Sequence, residues 1–473
     1  MKLKRWFMSA LLPIFMAAFP IVLLYSNNAD EVALREVLPS LALFEGLALT
    51  AYLVLSICTR TPSKAAICSG ILTFVYANYA ILEKVLLIPF PRLQYWHTTA
   101  IFLMVTIVLF YFIITKLDVV MAGEMSKVGT LVFAGLVLLN GVLALPNAVK
   151  KMRVDATQPV KTAVAHENLQ MPNVYYLLFD EFASYNQIKE YYHYDNKQLT
   201  SFLSDNAFVV SYNSYNDSTS TTTVTANLVN YDYIVTKEAT ELEKQEFRKQ
   251  GKLFQLFREK GYQVFGLSQE APNYGLKNIA AQSEEGSQTA GVTMGGETFS
   301  DLIVQQTVVY PFWSFSTTKA FESILNDLNF LVESDCNWEA PTLIFSHFVF
   351  PHPPFLCDKN GNTISPKDYW NWNDMDVYLG QYMYCSAKIE EIVGNILEKD
   401  PDCIIVLQSD HGARANTEHN VSFPLEVQKN IFNAVYYRGE PIDEIIGQSG
   451  VNTVRRILNR LFDMDYEVLE VPS

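Results

Sequence analysis

The sequence predicts an α/β protein: a five-helix transmembrane domain, then a domain with a mostly parallel central sheet flanked by helices. Three observations predict it. Five apolar stretches crowd the first third of the 473 residues, and short apolar runs alternate with helical patterns through the rest. Charge divides along the same line: residues 1–153 carry 13 Lys and Arg against 7 Asp and Glu, leaving 22 against 43 for the remainder. A net charge of -15 excludes broad, charge-driven binding to nucleic acid. With 49% hydrophobic and 18% charged residues, the composition also argues against disorder, collagen and coiled coil.

The apolar stretches lie at 6–25, 34–58, 66–88, 96–115 and 128–148. Each is close to the roughly 20 residues that a helix needs to cross about 30 Å of hydrocarbon. Backbone amides find no water there, which leaves helix as the conformation that satisfies them. No small-residue cleavage site follows Leu24, so the first stretch reads as a span and not as a signal peptide. Lys2, Lys4, Arg5, Arg60, Lys64, Lys116 and Lys127 fall on one side, against Arg35, Lys84, Arg92, Lys150, Lys151 and Arg153 on the other. The narrow excess favours a cytoplasmic N-terminus. Five spans then place the C-terminal domain outside the cytoplasm, in a multi-pass plasma or inner membrane protein. Within the spans, Glu45 is a candidate for lining a cavity reached by a lipid headgroup. Glu83 and Lys84, near the end of the third stretch, are expected to snorkel to the interface.

The expected domains are 1–149 in the membrane, an interfacial linker at 150–172, and an extracytoplasmic catalytic domain at 173–473. The linker holds Lys150, Lys151, Arg153 and two prolines, with no apolar period. Buried-strand patterns follow at Asn173–Asp180, Tyr262–Leu267, Pro341–His347, Cys403–Gln408 and Ile431–Tyr437. Helical patterns separate them at Gln187–Leu203, Leu253–Lys260, Thr318–Val332, Val377–Glu398 and Val451–Phe462. Such alternation builds a layered fold on a mostly parallel sheet. There is no internal repeat and no Gly-rich phosphate loop. None of the six cysteines has C-x-x-C spacing, which disfavours a cysteine metal site. An extracytoplasmic location leaves room for one or two disulfides.

Active sites of open α/β sheets form beyond the carboxyl ends of the strands. Asp180 closes the first run, His347 closes another and leads to His352, and a third ends in Ser409-Asp410-His411-Gly412. Two carboxylates and an imidazole form an N/O donor set that suits Zn or Mn. Gly412 lets the backbone turn away after His411.

On these residues the chain resembles the alkaline phosphatase/sulfatase superfamily. The closer resemblance is to its membrane-anchored sulfatase-like hydrolases and transferases, such as lipoteichoic acid synthase and lipid A phosphoethanolamine transferase. It rests on Asn173–Phe182, His347–Phe355, Ser409–Gly412 and the helix around Tyr378–Ile392. The resemblance implies a sulfatase/alkaline-phosphatase-like domain and a divalent metal held by Asp180, Thr221, Asp410 and His411, with Glu181 as the alternative to Asp180. It also implies catalytic roles for Thr221, His347 and His352. Thr221 is the implied nucleophile, taken from the hydroxyl-rich stretch 218–225, with Ser220 and Thr222 as alternatives. A helix N-terminus suits phosphate chemistry because its free amides and dipole stabilise negative charge. Arg414 and His419 are further candidate substrate contacts. The family's usual serine and proline after the nucleophile are replaced by Val224 and Ala226. The C-x-P-x-R motif of true sulfatases is absent, since 205–235 contains neither Cys nor Arg. Phosphotransfer is therefore expected over sulfate-ester hydrolysis.

The implied reaction moves a phospho-headgroup from a membrane phospholipid through a phospho-threonine to a cell-envelope glycan or glycolipid, or to water. Two alternatives remain beside it. One is a phosphodiesterase or phosphatase of the same fold; the other is a non-catalytic membrane scaffold with a degenerate site.

Overall fold

The computed structural model of the chain describes residues 2–30, 32–90, 92–156, 171–280, 299–310, 315–365, 368–372, 374–416 and 421–472. Two compact units share the chain. The first contains Met1–Arg153 and, among the described residues, also takes in 299–310 and 315–316; the second contains the remainder.

In the first unit the helices are α1 (Lys2–Asn27), α2 (Leu34–Thr59), α3 (Pro62–Ala77), α4 (Tyr79–Leu87), α5 (Tyr95–Thr115) and α6 (Val119–Ala156). Four of them are long and apolar enough to cross a membrane. The third expected span is broken: α3 and α4 meet at 70° and make a fifth crossing only if taken as one bent element. The break falls at Asn78, whose side-chain amide donates to the Phe74 carbonyl at 2.8 Å and competes with the helical ladder. A later helix, α12 (Phe299–Gln306), belongs to this unit and packs Phe299 and Ile303 with Ile21, Tyr25, Val32 and Val37. Glu83 corrects the expectation of snorkelling. It is buried and accepts hydrogen bonds from Thr98 at 2.5 Å and from Tyr310 at 2.9 Å. Its partner in sequence, Lys84, is exposed. Glu45 Oε2 is buried with no hydrogen-bond partner among the described residues.

The second unit is built on a six-stranded sheet of order β2-β8-β5-β1-β4-β3. Its strands are β1 (Val174–Phe179), β2 (Val209–Ser211), β3 (Gln263–Gly266), β4 (Thr342–Phe348), β5 (Ile404–Ser409) and β8 (Asn433–Tyr437). A separate pair, β6 (Ala415–Asn416) and β7 (Val421–Ser422), follows β5. β5, β1, β4 and β3 run parallel, while β8 is antiparallel to both β5 and β2. The sheet is thus mostly parallel, and Ile431–Tyr437 supplies its antiparallel member. The helices are α7 (Tyr185–Tyr191), α8 (Lys197–Asp205), α9 (Thr221–Val229), α10 (Glu241–Lys249), α11 (Lys252–Glu259), α13 (Phe315–Glu333), α14 (Met375–Lys399), α15 (Leu425–Gln428) and α16 (Gly450–Phe462). The expected helix Gln187–Leu203 is two helices, because His193 adopts a left-handed backbone (φ 55°) between them. All six cysteines are free, so the structure contains none of the one or two disulfides for which an extracytoplasmic location leaves room.

Strand alternation sorts the core into two layers. Tyr175, Leu177 and Phe179 of β1 pack on one face with Ile389, Ile392 and Ile396 of α14. Val174, Tyr176 and Leu178 pack on the other with Leu228 and Val229 of α9 and Val454 and Leu458 of α16. The same alternation carries forward to the strand ends, where the chemistry lies.

Candidate active site

Phe179 lies opposite Phe348 of β4 and Ser409 of β5. The next residues, Asp180, Val349 and Asp410, therefore leave three adjacent parallel strands at one level. Asp180 and Asp410 share parity with Tyr176, Leu178 and Val406, and His347 shares it with Phe345. All three side chains thus emerge on the α9 face of the sheet. Helix α9 packs there through Leu228 and Val229, and its first residue is Thr221. Sequence period and strand register together explain why residues from distant segments meet.

The meeting is close. His411 Nε2 lies 3.5 Å from Asp410 Oδ2 and 3.7 Å from Asp180 Oδ1, and His347 Nε2 is 3.6 Å from Asp180 Oδ2. Asp180, Asp410 and His411 form a buried group whose donor atoms lie within 4.8 Å of one another. A small cavity is walled by Asp180, Thr221, Arg248, Glu270, His347, Val349 and His352. Ser220 and Thr222 do not wall it. Ser220 caps α9 by accepting from the Thr223 amide, and Thr222 donates to Glu241 at 2.7 Å. Glu181 is fully buried; its Oε1 accepts from the Arg414 amide at 2.8 Å, and its Oε2 is 3.8 Å from His352 Nε2. Arg414 also reaches His411 Nε2 at 2.7 Å. His419 lies outside the described residues.

Does a divalent cation fit? Asp180 Oδ1, Asp410 Oδ2, Thr221 Oγ1, Glu181 Oε2 and His347 Nε2 are all buried without a hydrogen-bond partner among the described residues. Buried polar atoms without partners are uncommon, and two of these belong to Asp180 and Asp410, whose donor atoms lie with that of His411 within 4.8 Å of one another. With His411 Nδ1 donating to the Gly412 carbonyl at 2.8 Å, its Nε2 carries a lone pair, which here accepts from the Arg414 guanidinium at 2.7 Å and which a metal would take over from it. The donor set fits: the Asp180, Asp410 and His411 group can hold a metal ion.

Electrostatics follow from burial and neighbours. Burial favours the neutral Asp180 carboxyl, but His352 and His347 outweigh it and hold the group well below the usual carboxylate range. Burial raises Glu181 against the opposing pull of His352, His411 and Arg414. For His352 burial favours the neutral ring, yet Asp180 and Glu181 prevail and raise its pKa.

Supporting residues fix these groups. Asp410 Oδ1 accepts from the amides of Glu181 (3.0 Å) and His411 (2.8 Å), and Asn216 donates to the Asp410 carbonyl at 2.8 Å. Packing requires Gly412: a Cβ there would sit 2.8 Å from the Asn430 carbonyl oxygen and clash with Gln187 Oε1. Gly412→Ala is expected to destabilise the protein by about 1–3 kcal/mol through overpacking. Thermal unfolding monitored by circular dichroism measures it, and an unchanged midpoint would show that the backbone yields there.

Sequence reasoning missed three residues of this region. Arg248 of α10 donates to Glu270 Oε2 at 3.1 Å and stacks its guanidinium 4.5 Å from the Tyr274 ring centre. Tyr274 in turn bonds His347 Nδ1 at 3.0 Å. Glu270 follows the end of β3, where the strand-end rule pointed. Arg248 gave no signal, because the charged run Glu241–Lys249 reads as a solvated helix face.

A mostly parallel sheet with a buried carboxylate–imidazole group beyond its strand ends, beside a hydroxyl at a helix N-terminus, defines an α/β enzyme scaffold with a group that could hold a metal ion. The chain belongs to the Sulfatase family, whose model matches residues 172–445. Among solved structures it is similar to the zinc complex of the C-terminal periplasmic domain of EptC from Escherichia coli. That match has 15% identity, covers 66% of this chain and 87% of that one, and has a TM-score of 0.40. The integral membrane lipooligosaccharide phosphoethanolamine transferase A from Neisseria meningitidis matches at 12% identity over 96% and 95% of the two chains, with a TM-score of 0.40. No curated protein matches the chain.

Proposed function

We propose that the protein is a metal-dependent membrane phosphotransferase. It moves a phospholipid-derived phospho-headgroup to a glycan or glycolipid of the cell envelope through a phospho-threonine at Thr221. The observation that carries this reading is the Thr221 hydroxyl, buried and without a hydrogen-bond partner among the described residues, on the wall shared with Asp180, His347 and His352. Family membership supports an enzyme of sulfatase type, and Thr221 in place of the formylglycine motif favours phosphoryl chemistry. The reading places residues 1–149 in the membrane, 150–172 at its surface, and 173–473 outside the cytoplasm as the catalytic domain.

Asp180, Asp410, His411 and Thr221 would hold a divalent ion, Zn or Mn by donor type, which when bound favours the ionised hydroxyl and neutralises phosphoryl charge. The residues do the rest. Thr221 Oγ1, ionised in the resting site with its proton released to water, bonds to phosphorus, and the bond from phosphorus to the diacylglycerol oxygen breaks. His352 Nε2 gives that oxygen a proton; the charged ring this requires is the form that Asp180 and Glu181 favour. In the tautomer whose Nδ1 accepts from the Tyr274 hydroxyl, His347 carries hydrogen on Nε2 and presents it to a non-bridging oxygen. An acceptor hydroxyl then attacks phosphorus, passes its proton to His352, and releases Thr221. Membrane spans keep the domain beside its lipid donor, which raises the effective concentration of substrate.

Incubating the full-length protein with vesicles of phosphatidylethanolamine and phosphatidylglycerol, then mapping peptides by mass spectrometry, tests the reading. The expected result is one headgroup-phosphate adduct on Thr221. An adduct confined to Ser220 or Thr222 refutes the nucleophile; no adduct and no retained metal favours the scaffold alternative. Product release without added glycan identifies water as the acceptor and makes the protein a phosphodiesterase.

A further inference from the structure

Arg248 is a buried cation that the proposed reaction leaves unused. It stands 2% exposed on the cavity wall beside Thr221 and His347. Its Nε has no hydrogen-bond partner among the described residues. One terminal nitrogen and one face of the guanidinium are held. Glu270 holds NH2, Asn273 holds the same Glu270 oxygen at 2.8 Å, and the Tyr274 ring lies under the guanidinium. Such a brace keeps a guanidinium in one orientation, and a planar fork of fixed N–H donors matches the oxygens of a tetrahedral anion. A structural ion pair alone explains the Glu270 contact. It does not explain why the pair closes a cavity whose other walls carry unpartnered polar atoms.

We propose that Arg248, braced by Glu270 and Tyr274, forms an oxyanion subsite that grips the non-bridging oxygens of the phosphoryl group presented to Thr221. The inference rests on the phosphotransfer reading for its substrate, but binding tests it without turnover. Glu270 and Tyr274 are positioning residues: Tyr274 touches both Arg248 and His347, so one ring sets the two donors relative to each other.

Inorganic phosphate is the probe, titrated into the metal-loaded, full-length protein in detergent. Wild-type protein is expected to bind phosphate, Arg248→Gln to bind it at least about tenfold more weakly, and Arg248→Lys to fall between, since lysine keeps charge but lacks the fork. Removing Arg248 alone leaves Glu270 buried without its counter-ion, which can unfold the protein. The double variant Arg248→Gln/Glu270→Gln removes both charges and must show the same loss. Metal content must stay at the wild-type level in every variant, which separates anion binding from collapse of the Asp180 group. Equal phosphate affinity in wild type and a folded variant overturns the subsite, as does absence of phosphate binding by wild type. Arg248-dependent binding in a protein that never transfers phosphate overturns the reaction and leaves the subsite standing.

Discussion

Asp410→Ala is expected to abolish turnover, with a fall of roughly 10³-fold or more, and to release the metal. Asp410 is fully buried, and its Oδ2 is one of the unpartnered oxygens facing His411. Its other oxygen has a structural task, accepting the Glu181 and His411 amides. Alanine therefore removes a proposed metal donor and strands two buried N–H groups, at about 1–3 kcal/mol for each. Asp410→Asn separates the two roles, because its amide oxygen still serves both N–H groups while the charge is gone. Metal analysis and thermal melting of both variants measure the division. A fully active Asp410→Asn enzyme that retains its metal would mean that this carboxylate is structural only.

Thr221→Ala is the second large effect. Thr221 Oγ1 makes no hydrogen bond to the described residues, so alanine should leave stability within about 1 kcal/mol of wild type. Turnover should nevertheless fall by roughly 10³-fold or more, and the adduct should vanish. Thr221→Ser keeps the hydroxyl and should retain measurable activity. Wild-type rates in Thr221→Ala would move the nucleophile elsewhere in 218–225.

Much of this was legible in the sequence because apolar runs that end in polar groups mark strands and their carboxyl ends together. Asp180, His347, Asp410 and His411 were readable in this way, and register then places them at one level of one sheet face. Arg248 was not, since helix periodicity says which face is apolar but not which charged residue turns inward. Glu270 was half-readable: the strand before it was found, but the turn Ala271–Tyr274 that brings it back over the site leaves no periodic trace. The breaks at Asn78 and His193 were hidden for another reason. A single residue's backbone angle decides them, and hydropathy averaged along a segment conceals one residue.

The return of Phe299–Gln306 to the first unit bears on how this protein can be produced. A shortened, water-soluble version that begins after the linker still carries Phe299 and Ile303 but has lost the Ile21, Tyr25, Val32 and Val37 surface that covers them. Two large side chains would then face solvent on a helix too short to hold its shape alone. Secreting the second unit by itself therefore calls for excising or repainting that helix with polar residues, and detergent extraction of the intact polypeptide avoids the problem.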